Sequence, residues 1–129
     1  TKKMICTVKD SDKQELVPIA KRFQALGYTI YATRSTADVL IANGVDAIKI
    51  KKLAAGSPNA LDLILEGEVD LVIDTPTQGA EHSHDGFIIR RNAIETGVNV
   101  LTAIDTAKAL ITSLENREEQ LTLIDIATI

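Results

Sequence analysis

Short apolar runs and segments of helical period alternate five times along this chain, and that alternation constrains its fold more than any other feature. The runs are Met4–Val8, Tyr28–Thr33, Asp46–Ile50, Val69–Asp74 and Val98–Leu101. In the first segment between them, Leu16, Ile19, Ala20, Phe23 and Leu26 recur at helical intervals. Shorter helices are expected over Thr36–Asn43, Ala60–Glu66 and Phe87–Thr96, and Asp105 is placed to cap a last one running to about Leu114. Gly27, Gly44, Gly67 and Gly97 stop four of the five. Such a chain forms a parallel sheet with helices on both faces. The first helix is the awkward one. Ser11 and Gln14 have capping-box spacing, but Pro18 lies inside the pattern, which predicts a kink or a main body starting near Val17.

The 129 residues suit one domain, and a chain of that length buries roughly two-thirds of its unfolded surface. No internal repeat, low-complexity segment or second domain interrupts it. With 45% hydrophobic and 25% charged residues the chain is globular rather than disordered. The formal net charge is −4, aromatics make up 3% and Trp is absent, which argues against a basic or base-stacking nucleic-acid surface. Cys6 is the single cysteine and sits in an apolar run, so no internal disulfide forms and a reducing cytoplasm fits. No apolar run approaches the ~20 residues of a membrane span, and the one at the N-terminus is too short for a signal peptide. The chain begins with Thr1, which reads either as processing or as a piece of a longer protein. The stretch 115–129 is a tail that starts charged and ends apolar; its last residues either dock on neighbouring domains or cover the core of this one.

In open parallel sheets ligands sit outside the carboxyl ends of the strands. After the first run comes KDSDKQ with Lys9 and Lys13; after the second, TRST with Thr33, Ser35 and Thr36; after the third, Lys51 and Lys52; after the fourth, DTPTQG. Several lysines and hydroxyls at one sheet edge of an acidic chain suggest an anion pocket. Solvated lysines and helix-capping hydroxyls are the plainer alternative, and spacing leaves both open. Neither a Walker A motif nor GxGxxG is present. His82 and His84, in EHSHD, offer metal or acid–base chemistry, but the cluster is local and has no third histidine, so a polar loop with Asp85 near a helix start is the simpler reading and no metal site is assigned. Arg90 and Arg91 are adjacent on a helix and point apart, so one pairs with a carboxylate while the other faces solvent or a partner. Cys6 reads as core, and no GxSxG elbow exists.

The segments ATRSTADVL, GSPNALDLILEGEVDLVIDT and DGFIIRRNAIETGV, in that order and spacing, resemble the C-terminal regulatory domain of the carbamoyl-phosphate synthase large subunit. The family motifs concerned are AT-x-GTA, a Lys-containing loop before G-x-P, a strand ending IN-T, and D-x-x-x-IRR. The match runs from about Met4 to Leu114, and TPTQGAEHSHDGF looks closest to the Gram-positive, pyrimidine-regulated type. The resemblance implies a methylglyoxal-synthase-like α/β fold of three layers, with a five-stranded parallel sheet in the order 3-2-1-4-5. It implies an effector site for UMP, IMP or phosphoribosyl pyrophosphate, with Lys13, Thr33, Ser35, Thr36 and Lys52 on phosphate. Asp74, Thr75 and Thr77 would lie against ribose or base. The domain itself would hold no cofactor. ATP with Mg or Mn would serve the remaining domains of the large subunit, which work with a glutaminase small subunit. Two positions depart from the pattern. Ser35 stands where the family has Gly and adds bulk near a phosphate; Asp74 stands where it has Asn and adds negative charge, and could bond a ribose hydroxyl or a base N–H.

An enzyme of the same fold, free-standing methylglyoxal synthase, is the alternative. It eliminates phosphate from dihydroxyacetone phosphate. His82 and Asp85 have its H-x-x-D spacing, but Ser57 appears where that enzyme has its Asp base, and Ser with no activating base does not abstract a carbon-bound proton.

Overall fold

The computed structural model describes residues 2–51, 56, 59–75 and 84–127, the side chains of 34, 84–87 and 119–127 excepted. The elements run β1 (Lys3–Val8), α1 (Asp10–Ala25), β2 (Thr29–Thr33), α2 (Arg34–Ala42), β3 (Ala47–Ile50), α3 (Ala60–Leu65), β4 (Leu71–Thr75), α4 (His84–Glu95), β5 (Asn99–Leu101) and α5 (Ile104–Ala127). The strands form one all-parallel sheet in the order β3-β2-β1-β4-β5. This is the α/β class and strand order expected from the sequence.

Alternation along the central strands sends side chains to opposite faces. Met4, Cys6 and Val8 of β1 join Leu16, Ile19, Ala20 and Phe23 of α1, Leu40 of α2 and Ile111 of α5 in one core. Ile5 of β1 joins Val72 of β4, Ile64 of α3 and Ile89 and Ala93 of α4 in the other. The sheet thus separates α1, α2 and α5 from α3 and α4. Every residue of β4 is buried, as a strand covered on both faces requires. Of the expected stops, Gly27 and Gly97 show the reason most plainly: each follows a helix at φ +94° and +78°, a backbone region open to glycine without steric cost.

Helix limits differ from the sequence reading at several places: α2 starts at Arg34 rather than Thr36, α4 at His84 rather than Phe87, and α1 and α5 differ more instructively. α1 starts at Asp10, with Lys9 as N-cap and no side-chain cap bond, so Ser11 and Gln14 form no capping box and the helix does not wait for Val17. Pro18 is accommodated inside it because Gln14 and Pro18 are both exposed, leaving the carbonyl deprived of its partner on the solvent side. α5 runs on past Leu114 to Ala127. A capping box does exist where none was expected: the Asn59 side chain accepts from the Asp62 N–H, and Asp62 accepts from the Asn59 N–H, opening α3.

The hydroxyl-lined carboxyl edge of the sheet

The connections at the carboxyl edge begin with two very short ones. A single residue, Lys9, links β1 to α1, and α2 follows β2 with none between. Because β2 turns into a helix at Arg34, β1 outruns its neighbour, and the Val8 N–H needs another acceptor. Thr36, buried in the first turn of α2, supplies it: its Oγ1 accepts from the Val8 N–H at 3.2 Å. On the other side of β1, the Oγ1 of buried Thr75 accepts from the Lys9 N–H at 3.0 Å. The end of the central strand is therefore held by two hydroxyls. A hydroxyl has one proton and two lone pairs. Accepting an N–H leaves that proton to be directed at another acceptor, such as an anion.

A second polar row lies on the α4 side of the sheet. Thr7 pairs in register with Asp74 of β4, and the Thr33 hydroxyl donates to the Thr7 hydroxyl at 3.0 Å. Beneath this row Tyr31, Ile5 and Val72 pair in register as an apolar layer. Arg90 reaches from α4 to the row, its Nη1 donating to Asp74 Oδ2 at 2.9 Å. Asp74 is only 6% exposed. Burial pushes its carboxyl above the usual range, and this outweighs the pull of the Arg90 guanidinium in the other direction.

Two lysines at this edge pair with carboxylates. Lys13 is a buried lysine, 7% exposed, and its ammonium donates to Asp10, whose side chain is almost fully exposed. That ammonium bond, more than the slight burial opposing it, holds the Asp10 carboxyl below its usual range. Lys9 lies 3.9 Å from Asp12.

Of the residues singled out in the sequence, Lys13, Thr33, Thr36, Asp74 and Thr75 gather at this edge. Ser35 is exposed in the first turn of α2. Lys52, Ser57, Thr77 and His82 lie outside the described residues, and the side chains of His84 and Asp85 are not described, although both residues open α4. The capping reading of TRST is corrected: Thr33 is the N-cap of α2 but makes no side-chain cap bond, and Thr36 spends its lone pair on β1. Both arginines pair with carboxylates, Arg90 with Asp74 and exposed Arg91 with Glu95. Thr7 was missed; its signal is a polar residue at the carboxyl end of an apolar strand. Cys6 is wholly buried core, and burial pushes its thiol up to about 12. Among the described residues no group of three or more metal-ligating side chains exists, and no helix is long and apolar enough to cross a membrane.

The family model described as MGS-like domain matches residues 15–102. The carbamoyl phosphate synthase large chain of Lachnoclostridium phytofermentans is 64% identical over 129 residues, which cover 99% of this chain and 12% of that protein. The corresponding large chain of Agathobacter rectalis is 58% identical with the same coverage. A protein of Methanopyrus kandleri named as the C-terminal section of the large chain is 43% identical over 116 residues, 90% of this chain and 21% of that one. The chain thus spans a small fraction of the length of the curated relatives it matches. Among solved structures, methylglyoxal synthase from Elizabethkingia anophelis superposes with a TM-score of 0.70 at 18% identity, covering 85% of this chain and 76% of that one. ForH superposes with a TM-score of 0.67, also at 18% identity, covering 90% and 79%. At such identity these two carry the fold alone.

Proposed function

The chain belongs to the MGS-like domain family, and from that premise we propose that it is the allosteric regulatory domain of a carbamoyl-phosphate synthase large chain. Its ligand is a phosphorylated effector, UMP, IMP or phosphoribosyl pyrophosphate, bound at the carboxyl edge of the sheet. The bound effector biases the rest of the large chain, which makes carbamoyl phosphate from bicarbonate and glutamine-derived ammonia with ATP for pyrimidine and arginine synthesis. Regulation of that kind requires the effector to bind the active and inactive states with different affinity. In this reading Lys13, Thr33, Ser35, Thr36 and Lys52 hold the phosphate, and Asp74, Thr75 and Thr77 lie against ribose or base. The domain carries no catalytic residue; the chemistry and the glutaminase contact belong to the rest of the enzyme.

One observation carries the reading. Lys13 is more than nine-tenths buried at the same edge where the Thr36 and Thr75 hydroxyls are fixed by backbone N–H groups. A buried ammonium is costly without counter-charge. Asp10, its carboxylate partner, is an exposed side chain that an incoming phosphate can displace. High identity to large chains from two Gram-positive bacteria supports the choice of parent enzyme.

The test is calorimetric titration of the chain with UMP, IMP, phosphoribosyl pyrophosphate and dihydroxyacetone phosphate, with an assay for phosphate release from the last. Micromolar binding of at least one of the first three without phosphate release is the expected outcome. Release of phosphate overturns the reading in favour of methylglyoxal synthase chemistry. Silence from all four ligands removes the effector site.

A further inference from the structure

We infer that the amino edge of the sheet, together with the end of α5 that overshoots it, docks in an apolar groove on the remaining domains of a large chain. The inference rests on this chain being part of such a protein. It does not rest on the effector site, which lies at the opposite edge.

In a parallel sheet the helix after each strand returns to the edge where the strands begin. α5 does so beside α1: Glu115 accepts from Arg22 in the last turn of α1, and Glu118 lies 3.7 Å from Lys2, the residue before β1. The helix does not stop there. Residues 119–127 carry it about 13 Å farther at 1.5 Å a residue. It holds neither Pro nor Gly to turn it back over the core of its own domain. Its composition is wrong for a helix left in water. Leu121, Leu123, Ile124, Ile126 and Ala127 are five apolar residues among the last seven. At 100° a residue the four large ones spread round more than half of the circumference. A helix apolar on most of its sides is a buried one.

A second observation points to the same edge. Four large aliphatic side chains are exposed among the described residues, and three of them stand in the last turns of helices: Ile41 of α2 (49% exposed), Leu65 of α3 (60%) and Ile94 of α4 (69%). Those turns lie where the strands begin, on both faces of the sheet. Scattered exposed aliphatics are ordinary; three gathered at the end from which an apolar helix projects mark an interaction surface. The length of the relatives names the occupant. The segment matching this chain is 12% of each large chain that is 64% or 58% identical to it, so most of such a protein lies outside it. β1 starts at the amino edge, so any chain leading into it in such a protein arrives beside this surface.

The experiment is amide hydrogen exchange on the full-length large chain that contains this sequence, set against the 129-residue chain alone. Amides of residues 119–127 should exchange at least about tenfold more slowly in the large chain. The double variant Leu65→Glu with Ile94→Glu, at two exposed positions, should leave the thermal midpoint of the 129-residue chain unchanged. In the large chain it should speed exchange of those amides at least about fivefold. Equal exchange of 119–127 in the large chain and alone overturns the inference. So does slow exchange in the large chain that neither this variant nor Leu123→Glu with Ile126→Glu changes. Slow exchange in the 129-residue chain that quickens on dilution gives the surface to a second copy and overturns it too. The comparison of the two unmodified proteins stands as a test even if a variant does not fold. None of these outcomes bears on the effector reading, which the ligand titrations decide separately.

Discussion

Thr36 illustrates how one side chain serves two ends. Its Oγ1 closes the ladder of β1 by accepting the Val8 N–H, and its proton is what the proposed phosphate would take. Thr36→Ala should therefore weaken effector binding about tenfold or more, roughly 1.4 kcal/mol. It should also cost about 1–3 kcal/mol of stability in urea, because the Val8 N–H is left without its acceptor. Thr36→Ser should restore both. A binding change under about twofold would count against the phosphate role. Asp74 makes a pH prediction. Its folded carboxyl lies above its ordinary value because of burial, so its contribution to stability is full below the unfolded value and is lost as pH rises through the folded one. Asp74→Asn should then gain stability relative to the parent as the pH is raised from about 3, below the ordinary carboxylate value, toward neutrality. Urea midpoints measured across that range decide it, and a constant difference would show that the Arg90 bond offsets burial. The residues of this edge were legible from their types and from their position after strands. The bonds they make were not: Arg90 meets a carboxylate 16 residues away only because α4 lies across the end of β4.

Elements were legible in kind and less so in extent. Among the described residues the alternating runs located the five strands and the five helices, because apolar period reports which face is buried. Starts and ends depend on weaker terms. The sequence reading gave Pro18 and Ser11 the power to delay α1, but the buried stripe from Leu16 to Phe23 outweighs one lost hydrogen bond on the exposed side. Pro18→Ala restores that bond and removes the ring clash. It should stabilise the protein by about 2 kcal/mol, the helix gain less the added freedom of the unfolded chain. An unchanged thermal midpoint would mean that α1 has already relaxed around the ring. For α5 the missed signal was composition. ENREEQ lacks an apolar stripe, yet Glu, Arg and Gln are strong helix formers, and the helix continues through them. Arg22 of α1, bonded to Glu115 and Thr112, fastens the start of this stretch to α1.

At the scale of the molecule, two apolar layers flank one sheet, and Cys6 sits in the middle of one of them. With its thiol pushed up to about 12 by burial, Cys6 has almost no thiolate at neutral pH. Its reaction with a thiol reagent should track global unfolding: negligible in the native protein and complete in denaturant. Rapid labelling in native buffer would reveal an opening of β1 that the packed core does not suggest. The strand order followed from family resemblance rather than from periodicity, since alternation alone does not say which strand lies beside which.

The lengths of the connections at the carboxyl edge have a consequence for how such a protein changes over time. After β1 and β2 the chain has one residue and none before the next helix; after β3 and β4 it has nine and eight, 51–59 and 76–83. The first pair cannot lengthen or shift without moving a helix that packs in the main core. The second pair is bounded by elements that are already anchored, and tolerates insertion far more readily. One half of the edge is thus frozen by architecture and the other is open to revision. If an effector binds at this edge as proposed, descendants of this sequence can come to answer to a different molecule while the half fixed by the short connections stays as it is.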